Sequence, residues 1–101
     1  MFDRFASTAS LLDGAPSPDE DHELELFMYF GCGFSHRVMH HAESLGVELP
    51  LRDIHADREA LSQLLELTGR RTVPVLLIDG VPLPESRVIM AWLDRYARRA
   101  A

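Results

Sequence analysis

The stretch LFMYFGCGFSHRVMHHAESLG, residues 26–46, contains the end of one predicted element and the whole of the next. The apolar and aromatic run LELFMYF, residues 24–30, is typical of a buried strand and stops at Gly31. Apolar residues then recur at intervals of four, four and three, which predicts a helix with one apolar face that ends at Gly46 as its C-cap: Phe34, Val38, Ala42 and Leu45. Cys32, the single cysteine of the chain, lies at the turn between strand and helix.

The rest of the chain continues the alternation of strands and helices. The predicted elements are a strand within residues 48–54, a helix capped by Asp57 and ended by Gly69, a strand over residues 75–78, a turn at Asp79-Gly80, a strand over residues 81–83, and a helix from Glu85-Ser86. Pro82 cannot donate to a strand ladder, so its strand should lie at a sheet edge. This order predicts an α/β fold, with a mixed four-stranded sheet and helices on both faces.

The N-terminal residues differ in composition from the rest. Residues 13–23, DGAPSPDEDHE, have too few apolar side chains to offset the entropy of ordering, and predict a linker or mobile tail. The residues before them have weak helical spacing and predict a short helix. The chain is therefore divided into a tail, residues 1–23, and one domain, residues 24–101.

Composition excludes several functional classes. The net charge is −6, with ten arginines and no lysine, which argues against a general nucleic-acid binder. Arg95, Arg98 and Arg99 are interpreted as cations that suit a helix C-terminus. No apolar run approaches the roughly 20 residues needed to cross a bilayer, and the start does not resemble a secretory signal. We expect a cytoplasmic protein without a membrane segment.

Cys32 is the first candidate for chemistry. A cysteine ahead of a helix faces unpaired backbone N–H groups and the positive end of the helix dipole, which favour the thiolate. The competing interpretation is a small buried hydrophobic residue, and the flanking Gly31 and Gly33 weaken it because they leave the sulfur uncovered. With one cysteine there is no intramolecular disulfide, so any partner of Cys32 lies outside its own chain.

Two motifs carry a resemblance to a known family. Cys32-Gly33-Phe34-Ser35 is identical to the CGFS signature of monothiol glutaredoxins, and Thr72-Val73-Pro74 matches the segment whose proline is cis and lies opposite the cysteine. Over residues 24–97 the chain resembles the glutaredoxins of the thioredoxin-like superfamily. The resemblance implies the glutaredoxin fold and an oxidoreductase that acts on glutathione mixed disulfides, with glutathione and glutathionylated proteins as partners.

The resemblance also implies roles for individual residues. Cys32 is the implied nucleophile, and Ser35 either donates a hydrogen bond to its thiolate or serves only as a first-turn helix residue. The implied glutathione site involves the backbone of Val73 before cis-Pro74, the start of the last helix, and one of two arginines that are otherwise solvated surface charges. Its residues are Tyr29, Gly33, Phe34, Arg70, Arg71, Thr72, Val73, Pro74, Glu85 and Ser86.

Departures from the family pattern keep alternatives open. Tyr29 stands where glutaredoxins usually have a lysine, and PLPESRVI, residues 82–89, is similar to the N-terminal domain of glutathione transferases. In the leading alternative, Cys32 and one glutathione from each of two chains hold a [2Fe-2S] cluster, so the protein is a homodimer rather than a monomer. A transferase-like binding domain and a metal site at His36, His40 and His41 are further alternatives.

Overall fold

The computed structural model describes residues 14–99. The seven elements there are β1 (Leu24–Met28), α1 (Gly33–Ser44), β2 (Leu51–Asp53), α2 (Arg58–Thr68), β3 (Val75–Ile78), β4 (Val81–Pro84) and α3 (Ser86–Ala97). None of these helices is long and apolar enough to cross a bilayer. The short helix predicted near the N-terminus lies outside the described residues.

The four strands form one mixed sheet in the order β2-β1-β3-β4. The strands β1 and β2 are parallel and α1 connects them, whereas β3 runs antiparallel to both β1 and β4. The β4 strand lies at the edge, so Pro82 costs the sheet no central hydrogen bond. The predicted α/β fold is confirmed.

Each face of the sheet has its own core, because successive side chains of a strand point to opposite faces. Leu26 and Leu76 face α1 and α3. Phe27 and Val75, one position away, face α2. The larger core contains the apolar face of α3, whose buried residues are Val88, Ile89, Trp92, Leu93 and Tyr96.

The predicted stripe of α1 needs a correction. Ser35, Val38 and Ala42 are the buried residues of this helix, and the side chain of Phe34 is exposed. The reason is that α1 begins at Gly33, so Phe34 in the first turn lies beyond the edge of the core. The C-cap residue is Leu45 rather than Gly46, which follows it at a φ of 73°.

Residues 14–23 are not a detached linker, contrary to expectation. Trp92 Nε1 donates to the Pro16 carbonyl at 2.8 Å, and Arg99 pairs with Asp21 at 2.6 Å. The side chain of His22 is 7% exposed. Side-chain hydrogen bonds from α3 and from Arg99 after it supply ordering that the sparse apolar content of the segment cannot. We call residues 14–23 the N-terminal strap.

Candidate active site

Cys32 is the N-cap residue of α1. Its backbone is extended, its N–H donates to the Tyr29 carbonyl at 3.1 Å, and its carbonyl accepts from the His36 N–H at 3.1 Å. No side chain caps the helix. The partly buried Sγ therefore lies beside N–H groups that have no partner within the helix.

Opposing effects act on the acidity of Cys32. Burial raises the pKa of the thiol, because it disfavours the charged form. The Ser35 hydroxyl and the backbone N–H groups of Ser35 and Phe34 lower it, because these donors near the sulfur stabilise its charged form. The lowering effects win, and the pKa of Cys32 lies below its usual value, as the position at a helix start predicts.

The Ser35 hydroxyl is buried without a conventional partner. The residue is fully buried, and among the described residues its Oγ forms no hydrogen bond with good geometry. A buried hydroxyl without a partner is costly. Since this hydroxyl also lowers the pKa of Cys32, the thiolate is the acceptor that would satisfy it.

The Val73-Pro74 segment lies opposite the cysteine. The peptide bond between the two residues is cis, as the family resemblance implies. Cys32 Sγ lies 3.9 Å from the Val73 carbonyl oxygen, and both residues are part of the core that faces α2. The turn after β1 and the segment before β3 thus meet, because these strands are neighbours in the sheet.

A cavity of about 500 Å³ opens next to this contact. Its lining combines the start of α1, the end of α2, the cis-proline segment, β4 and the start of α3. The lining residues are Phe34, Leu67, Thr68, Arg70, Thr72, Val73, Pro74, Val75, Pro82, Pro84, Glu85 and Ser86. Seven of the residues predicted to bind glutathione are therefore brought together.

The far side of this cavity is the start of α3. Glu85, its N-cap residue, has a φ of 78°, which is rare for a residue with a side chain. No side chain caps the helix, although the Glu85 carbonyl accepts from the Ile89 N–H at 2.9 Å. Uncapped N–H groups at a helix start are suited to bind a carboxylate.

Comparison with known proteins identifies the family. The glutaredoxin family model matches residues 24–83, more than half of the chain. The chain belongs to the glutaredoxin family. No curated protein matches it significantly.

Solved structures agree with the glutaredoxin fold. Buckwheat glutaredoxin in complex with glutathione is 20% identical, with 94% of this chain and 97% of that chain covered and a TM-score of 0.59. Rice GST1 in complex with glutathione is 32% identical, with 74% and 33% covered and a TM-score of 0.61. A Tau class glutathione S-transferase from mango is 19% identical, with 74% and 34% covered and a TM-score of 0.62. The chain spans about a third of the length of these two transferases.

Three predicted ligand-contacting residues of this glutaredoxin do not line the cavity. Tyr29 stacks on His55, with ring centroids 4.0 Å apart, and packs on the same core as Cys32. Gly33 has open space where a side chain would lie. Arg71 is exposed and outside the lining, whereas Arg70 is part of it. Their roles toward glutathione stay predictions.

Two of the three histidines of α1, His36 and His41, have separate hydrogen-bond partners. His36 Nε2 lies 2.6 Å from the Phe30 carbonyl, and His41 Nε2 lies 2.7 Å from Asp94 Oδ1. Within residues 14–99 no three side chains of the types that ligate metals form a group that could hold an ion. The arrangement therefore does not favour the metal-site alternative.

Sequence reasoning missed the outer wall of the cavity, including Leu67, Thr68, Pro82 and Pro84. The alternation of side chains along a strand could have indicated the two prolines. Leu83 between them is buried in the core that faces α1 and α3, so Pro82 and Pro84 face the opposite side of the sheet. Thr68 Oγ1 donates to the Leu64 carbonyl at 2.8 Å and accepts from the Arg70 N–H at 3.1 Å. No sequence signal marks that contact, which holds the turn that carries Arg70.

Proposed function

We propose that the chain is a glutathione-dependent thiol–disulfide oxidoreductase that acts on glutathione mixed disulfides by a monothiol mechanism. One observation carries the proposal: Cys32, with its lowered pKa, contacts the wall of a cavity that ends at the uncapped start of α3. Membership of the glutaredoxin family supports it. The glutathione named for the buckwheat and rice structures supports the choice of ligand.

The reaction consists of two thiol–disulfide exchanges. The Cys32 thiolate attacks the glutathionyl sulfur of a protein–glutathione disulfide, so a Cys32–glutathione disulfide forms and the protein leaves as a thiolate that takes up a proton. A second glutathione, as its thiolate, attacks the sulfur of the glutathione held on Cys32. Oxidised glutathione leaves and the Cys32 thiolate is restored.

The cavity offers a partner for each part of glutathione. The Val73 backbone, beside the sulfur of Cys32, would pair with the cysteinyl part as a one-residue strand addition. The γ-glutamyl carboxylate would accept from N–H groups at the start of α3, next to Glu85 and Ser86. Arg70 would face the glycyl carboxylate, because it lines the cavity and Arg71 does not.

The monothiol mechanism rests on Ser35. This residue occupies the position of a resolving cysteine and is fully buried, and the chain has no second thiol. The mixed disulfide on Cys32 must therefore be resolved by an external thiol. A reducing compartment such as the cytoplasm supplies glutathione for that step.

A small substrate tests the proposal directly. The mixed disulfide of glutathione and mercaptoethanol should be reduced in the presence of glutathione, glutathione reductase and NADPH, and Cys32→Ser should abolish the turnover. Mass spectrometry should find one glutathionyl group on the wild type and none on Cys32→Ser. Ser44→Ala, on the exposed side of α1, is the matched control and should retain full activity. A wild-type protein that neither turns over the substrate nor forms the adduct would refute the proposal.

The single free thiol also favours a second candidate, a carrier of a [2Fe-2S] cluster. Each chain supplies one thiolate, Cys32, so the residues fit such a cluster only if two chains and two glutathiones share it. The visible spectrum and native mass of anaerobically purified protein, supplied with glutathione, iron and sulfide, separate the two functions. We expect a colourless monomer. A brown dimer that loses its colour in Cys32→Ser would make the cluster its primary cargo.

A further inference from the structure

Two large aromatic side chains are exposed on either side of Cys32. Phe30 is 58% exposed and Phe34 is 57% exposed. The oxidoreductase reaction uses Phe34 as part of the cavity wall but has no use for Phe30. Exposed aromatic residues grouped in one place mark interaction surfaces more often than scattered ones do.

Basic side chains accompany both rings. The His36 ring lies 6.3 Å from the Phe30 ring between centroids, and its Nε2 contacts the Phe30 carbonyl at 2.6 Å. The guanidinium carbon of Arg37 lies 5.6 Å from the centroid of Phe34. These four residues, Phe30, Phe34, His36 and Arg37, are called the collar.

The collar contains a cation, Arg37, in a chain whose net charge is negative. The chain has 16 acidic residues and a net charge of −6, yet residues 26–42 contain none of them. Within residues 14–99, no salt bridge involves His36 or Arg37. The start of α1 adds its positive dipole end at the same place. An acidic partner would therefore gain a favourable electrostatic interaction at Arg37 and the start of α1, despite the negative net charge of the chain.

We propose that the collar is the docking surface for an acidic protein segment that carries the glutathionylated cysteine. This inference rests on the proposed function and names its substrate class. When the mixed disulfide reaches Cys32, the residues next to the substrate cysteine lie over Phe30 and Phe34, where apolar side chains pack on the rings. Acidic residues of the segment pair with Arg37. The negative net charge of the chain opposes non-specific binding of such a segment, and the cation next to Cys32 directs it to the collar.

Three glutathionylated peptides of equal length test this assignment. Each has apolar residues beside a central cysteine, and the outer residues are acidic, uncharged or basic. At low ionic strength the wild type should process the acidic peptide with a kcat/KM about tenfold above that of the basic one, and added salt should reduce the difference. The small glutathione–mercaptoethanol disulfide measures the chemistry alone.

Variants assign the preference to the collar. Arg37→Gln should lower kcat/KM for the acidic peptide about threefold and leave the small substrate unchanged. Phe30→Ser should lower it about fivefold for all three peptides, again with the small substrate unchanged. Arg98→Gln removes the same charge at the far end of α3, about 18 Å along the helix from the cavity, and should change nothing.

The outcomes separate the inference from the proposed function. Equal kcat/KM for the three peptides, or equal effects of Arg37→Gln and Arg98→Gln, would overturn the docking surface while the oxidoreductase stands. If even the small substrate is not turned over, the proposed function fails. Binding of a labelled, glutathione-free acidic peptide to Cys32→Ser protein, measured by fluorescence anisotropy, then tests the docking surface by itself. Salt-sensitive binding that Arg37→Gln weakens would support it, and absence of binding would overturn it.

Discussion

The effect of Ser35 on Cys32 depends on the burial of its hydroxyl. Serine is usually an exposed residue, and this one is fully buried in the first turn of α1 with no partner of good geometry within residues 14–99. A Cys32 thiolate would accept a hydrogen bond from this hydroxyl and so offset the cost of its burial. Ser35 therefore favours the thiolate of Cys32, and it lowers the stability of the folded protein while Cys32 is a thiol.

Ser35→Ala should raise the pKa of Cys32 and leave the fold no less stable. The alanine removes the hydroxyl that lowers the pKa of Cys32 by stabilising the thiolate. That same hydroxyl is buried without a hydrogen-bond partner in this structure. The pH dependence of the rate of alkylation by iodoacetamide measures the pKa, and urea unfolding measures the free energy of unfolding. That free energy should fall by less than about 1 kcal/mol, or rise.

Ser44→Ala, exposed at the end of α1, is the control for this substitution. It should change neither the alkylation profile nor the rate of alkylation at fixed pH. An unchanged pKa in Ser35→Ala, or a loss of several kcal/mol of stability, would mean that Ser35 acts as a packing residue.

At the scale of elements, the three helices begin differently. Only α2 has a side-chain cap, in which Asp57 accepts from the N–H groups of Glu59 and Ala60. Since Thr68 at the end of α2 lines the cavity, this capped start lies at the opposite end of the helix. The starts of α1 and α3 face the cavity and have no side-chain cap. The backbone N–H groups at the start of α2, away from the cavity, thus have a side-chain acceptor. Those at the starts of α1 and α3, at the cavity, stay available to a ligand.

Asp57→Ala should lower the free energy of unfolding by about 1 kcal/mol, the usual cost of losing an N-cap. The two N–H groups would lose their acceptor, which lies 2.9 Å and 3.3 Å away. Urea unfolding measures the effect. Asp57→Asn keeps a capping oxygen and should cost less. A change in the alkylation profile of Cys32 in either variant would contradict the separation between capped and uncapped helix starts.

At the scale of the whole molecule, His22 joins the strap to the hairpin of β3 and β4. Its Nδ1 lies 2.6 Å from Asp79 Oδ2 and its Nε2 lies 2.6 Å from the Ser17 carbonyl. Both partners are acceptors, so both ring nitrogens must donate and the ring must be protonated. The contact with Asp79 raises the pKa of His22 and lowers the pKa of Asp79, with Glu20 adding to the effect on His22.

The contribution of the His22-Asp79 pair to the free energy of unfolding should be highest in mildly acidic solution and should fall toward alkaline pH. The contribution of His22 is complete below its ordinary pKa of about 6.5 and is lost as pH rises through the raised value of the folded state. The contribution of Asp79 is present above its ordinary pKa and is lost only as pH falls through its lowered value. Urea unfolding measures the free energy of unfolding at about pH 5.5, where the contribution of His22 is present, and at about pH 9, where it is lost.

The assignment to this pair is tested by substitution. The other groups near the His22 ring stay unchanged: Tyr96 of α3, Arg99 after that helix, and Glu20 of the strap. His22→Gln should reduce the difference in unfolding free energy between the two pH values. Asp79→Asn should do the same while keeping a side chain tolerant of the φ of 51° at this turn. Emission of Trp92, the single tryptophan, should shift to the red if the strap detaches at high pH. An undiminished pH effect in both variants would assign it to other groups.

Local chemistry determined most of the secondary-structure elements and the position of Cys32 at a helix start. The apolar runs of β1 and β3, the cap at Asp57, the glycine after α2 and the turn at Asp79-Gly80 each act over a few residues, so the sequence alone predicted them. The resemblance carried by the CGFS and TVP motifs implied that Cys32 lies opposite a cis-proline segment. The Val73-Pro74 bond is cis, and Cys32 Sγ lies 3.9 Å from the Val73 carbonyl oxygen.

Only the tertiary structure decided which residues share one cavity and how the N-terminal segment packs. Arg70 rather than Arg71 lines the cavity, and Phe34 is exposed while Ser35 is buried, because the packing of α1 and α2 on the sheet sets these directions. His22 and Asp79 are 57 positions apart, so no local pattern contains their contact. Hydrophobic periodicity and helix capping depend on residues a few positions apart in the chain. Burial and charge pairing depend on which distant segments the fold brings together.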